Sequence, residues 1–514
     1  MIDMQSGAHT LARYAASLTP VLRAVAAAAG PDGRACLIET GGAVEQATTA
    51  LAIVRALAEP CGAPRLLARL LREMLHETDR DLGDGTTRLA LLWGGLVMQG
   101  AQSLAAGIAP EQLAAALQRL GAQLAAALER AEFARRSEPD TASIAAVAAS
   151  AGASSDVADA IADMLARVGV DGAAEIIESR ETGLRREIGE GFVFDAVPAS
   201  EAFATADLDP AFILVADERI DDLGQLLPLL EGFATRGKAL VLVAREVSGP
   251  ALHALVRNHS DNGLRAIALR PAAAGLSAAD ILEDLAIATG ATLVADRFGT
   301  TLSRLRPAML GRCARFSIAG GRAVFSEPGA DRSSVAQRRA LLLAEAERQK
   351  FLALDRERLQ VRAARLRGVW ARLHVGAESD RETRMRVEAA RRALASARSA
   401  IVGGVLPGGG IGLVQYFDNL PIDQAERTDP VVAAAGFALA AGLSTLVRGL
   451  AQDPTPIPGR ARRGRLSEAL GLDSSGDFAV LDPLPLTRSV LERAVSGAVT
   501  LLRSGGMITR ETLV

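Results

Sequence analysis

The two ends of this 514-residue chain resemble each other in composition more than either resembles the middle, and this symmetry most restricts the fold. Both ends are rich in Ala, Leu and Gly, and in LLARLLREML the apolar residues recur at the three- and four-residue spacing of an amphipathic helix. Between about 187 and 330, short apolar runs (AFILVAD, ALVLVAR, ATLVAD) alternate with helical segments, which predicts an α/β layer domain. We therefore expect a helical base, built from both chain ends, around an inserted α/β domain.

Charge and cysteine content exclude several classes of protein. The 57 Lys and Arg residues against 60 Asp and Glu residues leave no basic excess for a nucleic acid or a membrane surface. Cys36, Cys61 and Cys313 are too few and too widely spaced for a disulfide framework, and the scattered histidines predict no zinc site. The N-terminus has no signal-peptide pattern, and no uninterrupted apolar run is long enough to span a membrane. We expect a cytoplasmic protein.

The sharpest local motif is GDGTT, in which Gly83, Asp84, Gly85, Thr86 and Thr87 stand directly before a strong helical run. Backbone N–H groups at a helix N-terminus can bind phosphate oxygens, Thr hydroxyls add donors, and a carboxylate can hold Mg²⁺. The motif indicates nucleotide chemistry without a Walker A lysine. The alternative is a capped helix after a glycine turn, since so short a motif also occurs by chance.

Three further segments carry weaker signals. Glycines at 30–33 and 403–410 would let the backbone approach a phosphate or ribose closely, or would merely form turns. The charged stretch 333–368 predicts one long helix or a hairpin of two, with Ser333 and Ser334 able to cap its start and with a solvated face. The stretch 452–465 is crowded with Pro and Arg and predicts a loop.

Taken in order, segments along nearly the whole chain resemble the bacterial group I chaperonins. The resemblance is carried by seven segments: AGPDGR (29–34), GDGTT (83–87), ILEDLAIATGATLVADRFG (281–299), DRERLQVRAARLRG (355–368), HVGAES (374–379), VLPGGGIGL (405–413) and the terminal stretch from LDPLPLTR to ITRETLV. Seven motifs in the right order are far more specific than any one of them.

The resemblance implies an α+β multidomain fold of chaperonin architecture. Its parts would be a mainly helical equatorial domain at 1–135 and 403–514, a small intermediate hinge domain at 136–186 and 367–402, and an α/β apical domain at 187–366. It further implies ATP and Mg²⁺ as cofactors and a homo-oligomer of seven-membered rings. Partners would be non-native polypeptides and a co-chaperonin, with no nucleic acid and no membrane.

Matching positions imply the nucleotide-binding residues. Gly30 and Pro31 match the family's nucleotide-contacting turn, and Asp84 matches its Mg²⁺-holding aspartate. The phosphate loop is matched by Gly85, Thr86 and Thr87, the glycine under the nucleotide by Gly409, and the carboxylate near ribose and adenine by Asp482.

Departures from the family pattern put hydrolysis in question. Counting without gaps from HVGAES to VLPGGG places Arg392 where the family has its water-activating aspartate, and an arginine cannot accept a proton. Glu388, one helical turn earlier, is a candidate substitute. A second family aspartate is matched by Thr49, and Arg88 replaces the threonine after GDGTT. We expect slow or absent hydrolysis, with Arg88 and Arg392 holding the triphosphate; the alternative is that both are surface arginines without function.

The resemblance also implies a polypeptide-binding rim on the apical domain. Five of its matching positions are apolar: Phe203, Leu227, Leu230, Leu252 and Val256. At three others Pro198, Ala202 and Arg257 replace two aromatic side chains and an aliphatic one, so the groove is thinner and carries a charge. An exposed apolar groove binds unfolded chains without demanding a sequence, because burial of apolar area is favourable whatever the sequence. The alternative for Leu227 and Leu230 is ordinary packing into the core.

Three functions remain open at this point. The first is a divergent chaperonin subunit that binds ATP and non-native polypeptide, with weakened or lost hydrolysis. The second is a non-hydrolysing structural subunit or scaffold, mixed into rings of a standard chaperonin. The third is a repurposed fold that binds one dedicated partner, since fold alone does not fix function.

Overall fold

A computed structural model of the chain describes residues 2–6, 8–30, 33–40, 43–57, 64–130, 140–170, 172–222, 224, 227–260, 264–273, 275–348, 353–421, 428–451 and 480–510. These residues belong to two compact units. Unit 1 comprises Met1–Ala166, Ile176–Leu184 and Val375–Val514, and unit 2 comprises Arg167–Glu175 and Arg185–His374. The predicted loop at 452–465 lies outside the described residues, and the division into equatorial, intermediate and apical domains stays a prediction.

The helices are α1 (Ala8–Ala16), α2 (Thr19–Ala27), α3 (Ala50–Leu57), α4 (Pro64–Leu82), α5 (Thr86–Ala105), α6 (Pro110–Glu129), α7 (Thr141–Ser150), α8 (Ser155–Val168), α9 (Leu227–Thr235), α10 (Gly249–Ser260), α11 (Gly275–Thr289), α12 (Arg332–Arg348), α13 (Ala353–Leu366), α14 (Asp380–Gly403), α15 (Ile411–Asp418), α16 (Pro430–Leu450) and α17 (Leu484–Leu502).

The strands are β1 (Ile2–Ser6), β2 (Cys36–Thr40), β3 (Ala43–Ala47), β4 (Ala173–Glu178), β5 (Gly183–Glu190), β6 (Phe192–Pro198), β7 (Ala206–Leu208), β8 (Ala211–Ile220), β9 (Ala239–Val247), β10 (Ala266–Pro271), β11 (Gly311–Ala319), β12 (Arg322–Pro328), β13 (Val369–Gly376), β14 (Val405–Pro407), β15 (Leu481–Pro483) and β16 (Gly506–Arg510).

Unit 1 is a helical bundle around α5. This helix is apolar on every side, as LALLWGGLV shows, and such a helix must be surrounded by others. It packs against α1, α16 and α17, so both chain ends contribute to one core, as the sequence predicts. Helix α16 is long and apolar enough to cross a bilayer by length and composition, but 61% of its most apolar window is buried within the bundle. It is a core helix.

Unit 2 contains a seven-stranded sheet in the order β12-β6-β10-β9-β8-β11-β7. Strands β8, β9 and β10 run parallel, and the remaining pairs are antiparallel. The predicted strands AFILVAD and ALVLVAR are found as β8 and β9, whose buried faces line the core. The expectation for ATLVAD was wrong, because it contributes only isolated bridges, such as Val294 with Ala216.

The charged stretch after the sheet forms the predicted hairpin of two helices, α12 and α13. Its cap differs from the prediction: the Asp331 carboxylate accepts the backbone N–H of Ser334 at 3.3 Å, and both serine hydroxyls bind that carboxylate. The prediction that the charged face of this hairpin is solvated holds only in part. Arg362 of α13 is 5% exposed and donates to Asp284 at 2.7 Å.

A buried ion cluster therefore joins α13 to α11. Arg362 also donates to Asp280 and Glu283, each at 2.8 Å. Burial opposes the charge, but the hydrogen bonds from Arg362 to Asp284 and Glu283 outweigh it and raise the pKa of the guanidinium. Every carboxylate that faces Arg362 comes from one helix, so the cluster fixes how the hairpin lies on the sheet layer.

Candidate functional site

A cavity of about 500 Å³ lies in unit 1, between the start of α5 and one face of α14. Six chain segments converge on it, and all belong to unit 1: the end of α16 at Leu450 and five others. The five others are the turn after α2, the loop after β3, the GDGTT turn, the turn between α7 and α8, and α14 itself. Its lining residues are Ala28, Ala29, Gly30, Gly33, Thr48, Thr49, Asp84, Gly85, Thr86, Thr87, Arg88, Ser150, Ala151, Gly152, Ser154, Val157, Glu382, Met385, Arg386, Ala389, Arg392 and Leu450.

The GDGTT motif forms the floor of this cavity. Helix α4 ends at Leu82, and α5 begins only four residues later at Thr86, so the chain must reverse within Gly83, Asp84 and Gly85. Gly85 caps α5 with φ of 92°, a left-handed conformation that favours glycine. The unpaired N–H groups of the first turn of α5 therefore face a space that Thr86 and Thr87 also line.

Gly85→Ala should lower the free energy of unfolding by about 2 to 3 kcal/mol, measured by urea denaturation. The new Cβ would be held at positive φ and would lie 2.8 Å from the Val490 Cγ2 atom in the core. The matched control is Gly107→Ala, which has φ of 99° but nothing within 4 Å of the added atom. Gly107→Ala should lower the free energy of unfolding by about 1 kcal/mol, the cost of holding alanine at positive φ. Equal losses in the two variants would contradict a packing contribution at Gly85.

Asp84 is held in place by side chains from two other elements. The Ser396 hydroxyl of α14 donates to Asp84 Oδ2 at 2.6 Å, and Arg88 Nη1 lies 3.9 Å from the same oxygen. No described residue donates a hydrogen bond to the second carboxylate oxygen. Asp84 can therefore present one oxygen to a cation in the cavity while Ser396 fixes the other.

Arg88 turns away from the surface and pairs with the predicted ribose carboxylate. Its Nη2 donates to Asp482 Oδ1 at 2.6 Å, and Asp482 is 1% exposed. The other oxygen of Asp482 accepts the backbone N–H of Gly410 at 3.2 Å. Neither Asp482 nor Gly409 is among the cavity-lining residues. These two predicted ATP-binding residues therefore do not line the cavity. The Asp482 carboxylate, predicted to bind the ribose, is paired with Arg88 instead.

Three arginine donors in the cavity lining have no hydrogen-bond acceptor among the described residues. Arg88 Nη1, Arg386 Nε and Arg392 Nη1 are buried atoms without such a partner. A buried N–H group without an acceptor is costly, because it has lost water and gained nothing. All three residues line the cavity, so an anion bound there would supply missing acceptors.

Arg392 lies on α14 where the family match expects an acid. Its Nη1 is 3.5 Å from Glu388 Oε1, and Glu388 is 55% exposed and does not line the cavity. The substitute base that the sequence suggests therefore points toward solvent and neutralises Arg392 instead. The acid of α14 that does line the cavity is Glu382, which sequence reasoning missed. The alternating three- and four-residue spacing from Arg392 back through Ala389 and Met385 is the signal that leads to it.

Asp79, in the last turn of α4, is a second acid that the sequence analysis missed. Partial burial raises the pKa of its carboxyl, the nearby Arg392 and His76 charges oppose that rise, and Asp84 adds to it. The Arg392 guanidinium therefore acts electrostatically on the Asp79 carboxyl at the end of α4. The sequence could have indicated Asp79 only by its position, because it lies one helical turn before the GDGTT motif.

Of the remaining predicted nucleotide-site positions, some line the cavity and one lies outside the described residues. Gly30 lines the cavity with φ of 76°, and a Cβ there would lie 2.4 Å from the Leu450 carbonyl oxygen. Thr49 lines the cavity as well, and its hydroxyl accepts the Ala52 N–H at 3.2 Å, so it caps α3. Pro31 lies outside the described residues.

The predicted polypeptide-binding residues of unit 2 differ in their exposure to solvent. Leu227 is 52% exposed, and Leu252 and Val256 are partly buried against the core. Phe203 and Leu230 are buried at 0% and 8% exposure, so in this structure neither offers a surface to a partner. The Phe203 ring packs edge-on against His259 instead. The apolar rim is therefore restricted to three of its five predicted members.

The cavity as a whole suits a polyanion held with a cation. Three arginines, Arg88, Arg386 and Arg392, line it beside two acids, Asp84 and Glu382. Each arginine also has an acidic partner outside the lining, namely Asp482, Asp156 and Glu388 in that order, so the attraction for an anion comes from the positive end of the α5 dipole and from arginine N–H groups that lack an acceptor. The free oxygen of Asp84 fits Mg²⁺, and the three arginine donors without acceptors fit phosphate oxygens. Among the described residues no group of three or more His, Cys, Asp and Glu side chains could hold a metal alone, so a cation here would need ligands from the anion.

The sequence matches the model of the TCP-1/cpn60 chaperonin family over residues 21–512. Solved structures with a similar fold include the chaperonin gp146 from bacteriophage EL 2 (Pseudomonas aeruginosa), crystallised in the presence of ATP-BeFx in two forms. Form I has a TM-score of 0.68 and 19% identity, with 99% of both chains covered. Form II has a TM-score of 0.59 and 18% identity, with 100% of both chains covered. At these identities the likeness concerns the fold.

Proposed function

The chain belongs to the TCP-1/cpn60 chaperonin family, and we propose that it is a chaperonin subunit that binds Mg-ATP in unit 1 and hydrolyses it slowly or not at all. The predicted family and the α+β multidomain chaperonin fold are confirmed by this match and by the fold comparison. A role in protein folding follows from the family.

One observation carries the proposal: an arginine lines the cavity where the family match places its base. Arg392, Arg88 and the α5 N-terminus together favour a bound triphosphate, while nothing at position 392 can take a proton from water. Mg²⁺ bound at Asp84 would neutralise phosphate charge and orient the anion. This chain's own residues would bind and orient the triphosphate and would leave water unactivated.

The proposal includes a ring-shaped homo-oligomer in the cytoplasm that holds non-native polypeptide. Support for the polypeptide-binding part is the exposed Leu227 at the start of α9 and the partly buried Leu252 and Val256 of α10. Ring size and a co-chaperonin partner are extensions of the family resemblance. Sedimentation of the purified protein tests the ring, since a monomer at micromolar concentration would contradict it.

Asp84→Ala should weaken Mg-ATP binding by at least about tenfold, measured by calorimetric titration of the full chain. The variant removes the carboxylate that fits the cation but leaves the arginines in place. Asp159→Ala is the matched control, because Asp159 is an exposed aspartate of α8 in the same unit and does not line the cavity. Unchanged affinity in Asp84→Ala, or no ATP binding by the parent protein, would reject this site.

The second candidate is a structural subunit that enters rings of a standard chaperonin without hydrolysing ATP. The observation that favours it is the Arg88–Asp482 pair, which removes the predicted ribose carboxylate from the cavity. Co-expression of this chain with a standard chaperonin, followed by tag purification, separates the two candidates. Mixed rings would support the structural subunit, and strictly homomeric rings would exclude this form of it.

A further inference from the structure

A second cavity, of about 420 Å³, lies in unit 2 and differs in character from the nucleotide cavity. It is lined by two aromatic rings, three cations and small residues: Phe212, Gly232, Phe233, Arg236, Lys238, Pro307, Ala308 and Arg312. Its volume is in the range of ligand pockets, roughly 300 to 1,000 Å³. We call it the basic groove.

The sheet register explains how the cations come together. Arg312 of β11 and Phe212 of β8 are direct cross-strand partners, so their side chains lie on the same face. Lys238 immediately precedes β9, whose first residue pairs with Ala211 beside Phe212. Lys238 Nζ lies 4.8 Å and Arg312 Cζ 5.2 Å from the centroid of the Phe212 ring. The ring therefore holds two cations in fixed positions.

The cations of the basic groove are not neutralised within the protein. None of Arg236, Lys238 and Arg312 forms an ion pair with a carboxylate of the described residues, and no described carboxylate lines the groove. Some other arginines of unit 2 are paired, as Arg362 is with three carboxylates and Arg245 with Asp217. Three cations without an acidic partner among the described residues thus lie around one groove, in a chain whose net charge is -3.

We propose that the basic groove binds an acidic segment of a polypeptide, with a carboxylate on Lys238 and Arg312 and an apolar side chain against Phe212 and Pro307. An Arg guanidinium and a Lys ammonium both favour carboxylates, and the partly exposed Phe212 ring with the exposed Pro307 provides the apolar wall that a bare anion would not use. Gly232 and Phe233 belong to α9, the helix whose first residue is the exposed Leu227. The inference rests on the proposed function, because it specifies which non-native segments unit 2 selects.

The probe for this proposal is a fluorescent peptide that alternates Glu and Phe, compared with a peptide that alternates Lys and Phe. Fluorescence anisotropy with the full chain should show binding of the Glu peptide only, weakened by added salt. Lys238→Ala and Arg312→Ala should each weaken it by about tenfold. Arg180→Ala, an exposed arginine of unit 1, is the matched control and should change nothing. All three side chains are exposed, so the variants should fold, which thermal unfolding checks.

The outcomes separate this inference from the proposed function. If the Glu peptide does not bind but the protein still suppresses aggregation of an unfolded test protein, the inference fails and the chaperonin proposal stands. If neither occurs, both fail. Displacement of the peptide by inorganic phosphate at equal charge concentration would reject a polypeptide groove in favour of a phosphate site. Equal loss of binding in Arg180→Ala would also overturn the proposal.

Discussion

Arg392→Asp is expected to raise steady-state ATP turnover about 100-fold over the parent protein, because a correctly placed general base contributes on the order of 10² to 10⁴ in rate. The side chain at position 392 lines the same cavity as the GDGTT turn, so the replacement puts a carboxylate near the place where water would attack. It also removes the cation whose charge acts on Asp79. Phosphate release with Mg-ATP is the measurement.

The control for that experiment is Arg392→Asn, which is close in size to Arg392→Asp but accepts no proton at neutral pH. It should stay at the parent rate, and Asp84→Ala provides the blank. Comparable turnover in Arg392→Asn and Arg392→Asp would show that loss of the arginine, not gain of a base, releases hydrolysis. Turnover in the parent protein that Glu382→Gln abolishes would assign the base to Glu382, which lines the cavity on the same helix.

Local sequence was sufficient for the elements whose pattern is strong. Helix α5 and the turn before it follow from an apolar run after GDGTT, and β8 and β9 follow from short apolar runs between helices. These features depend on neighbours in the chain, so residue order alone determines them. The ATLVAD run failed because strand length depends on a partner strand, and only one of its residues pairs with β8.

The parts of the site that the sequence did not predict depend on contacts between distant residues. Asp482 and Arg88 are 394 positions apart, so their pairing leaves no periodic signal, and the family match assigned Asp482 to a ligand. Burial of Phe203 and Leu230 likewise depends on how the sheet layer packs. The family resemblance predicted which positions lie at the site. It did not predict the contacts of the side chains that this chain has there.

Arg88→Ala should lower the free energy of unfolding by about 3 to 5 kcal/mol, the usual cost of leaving one partner of a buried ion pair alone. Asp482 would remain 1% exposed with a single hydrogen bond from the Gly410 N–H to one oxygen. The pair also links α5, in the N-terminal half of the chain, to β15 near the C-terminus. Its loss should therefore loosen the joint between the two chain ends, measured by urea denaturation.

The double variant Arg88→Met with Asp482→Leu is the matched control, because replacement of a whole buried pair by apolar groups of similar size is often close to neutral. A large loss of stability in Arg88→Ala and a small one in the double variant would show that the pair is a specific constraint.

Stabilisation of the fold by Mg-ATP is a second measurement on the same variants. If Arg88 Nη1 donates to a phosphate, saturating ATP at about 100 times its Kd should stabilise the parent by about 2.7 kcal/mol and Arg88→Ala by clearly less. Equal stabilisation of both would leave Arg88 a purely structural residue, with Arg392 and the α5 N-terminus holding the nucleotide.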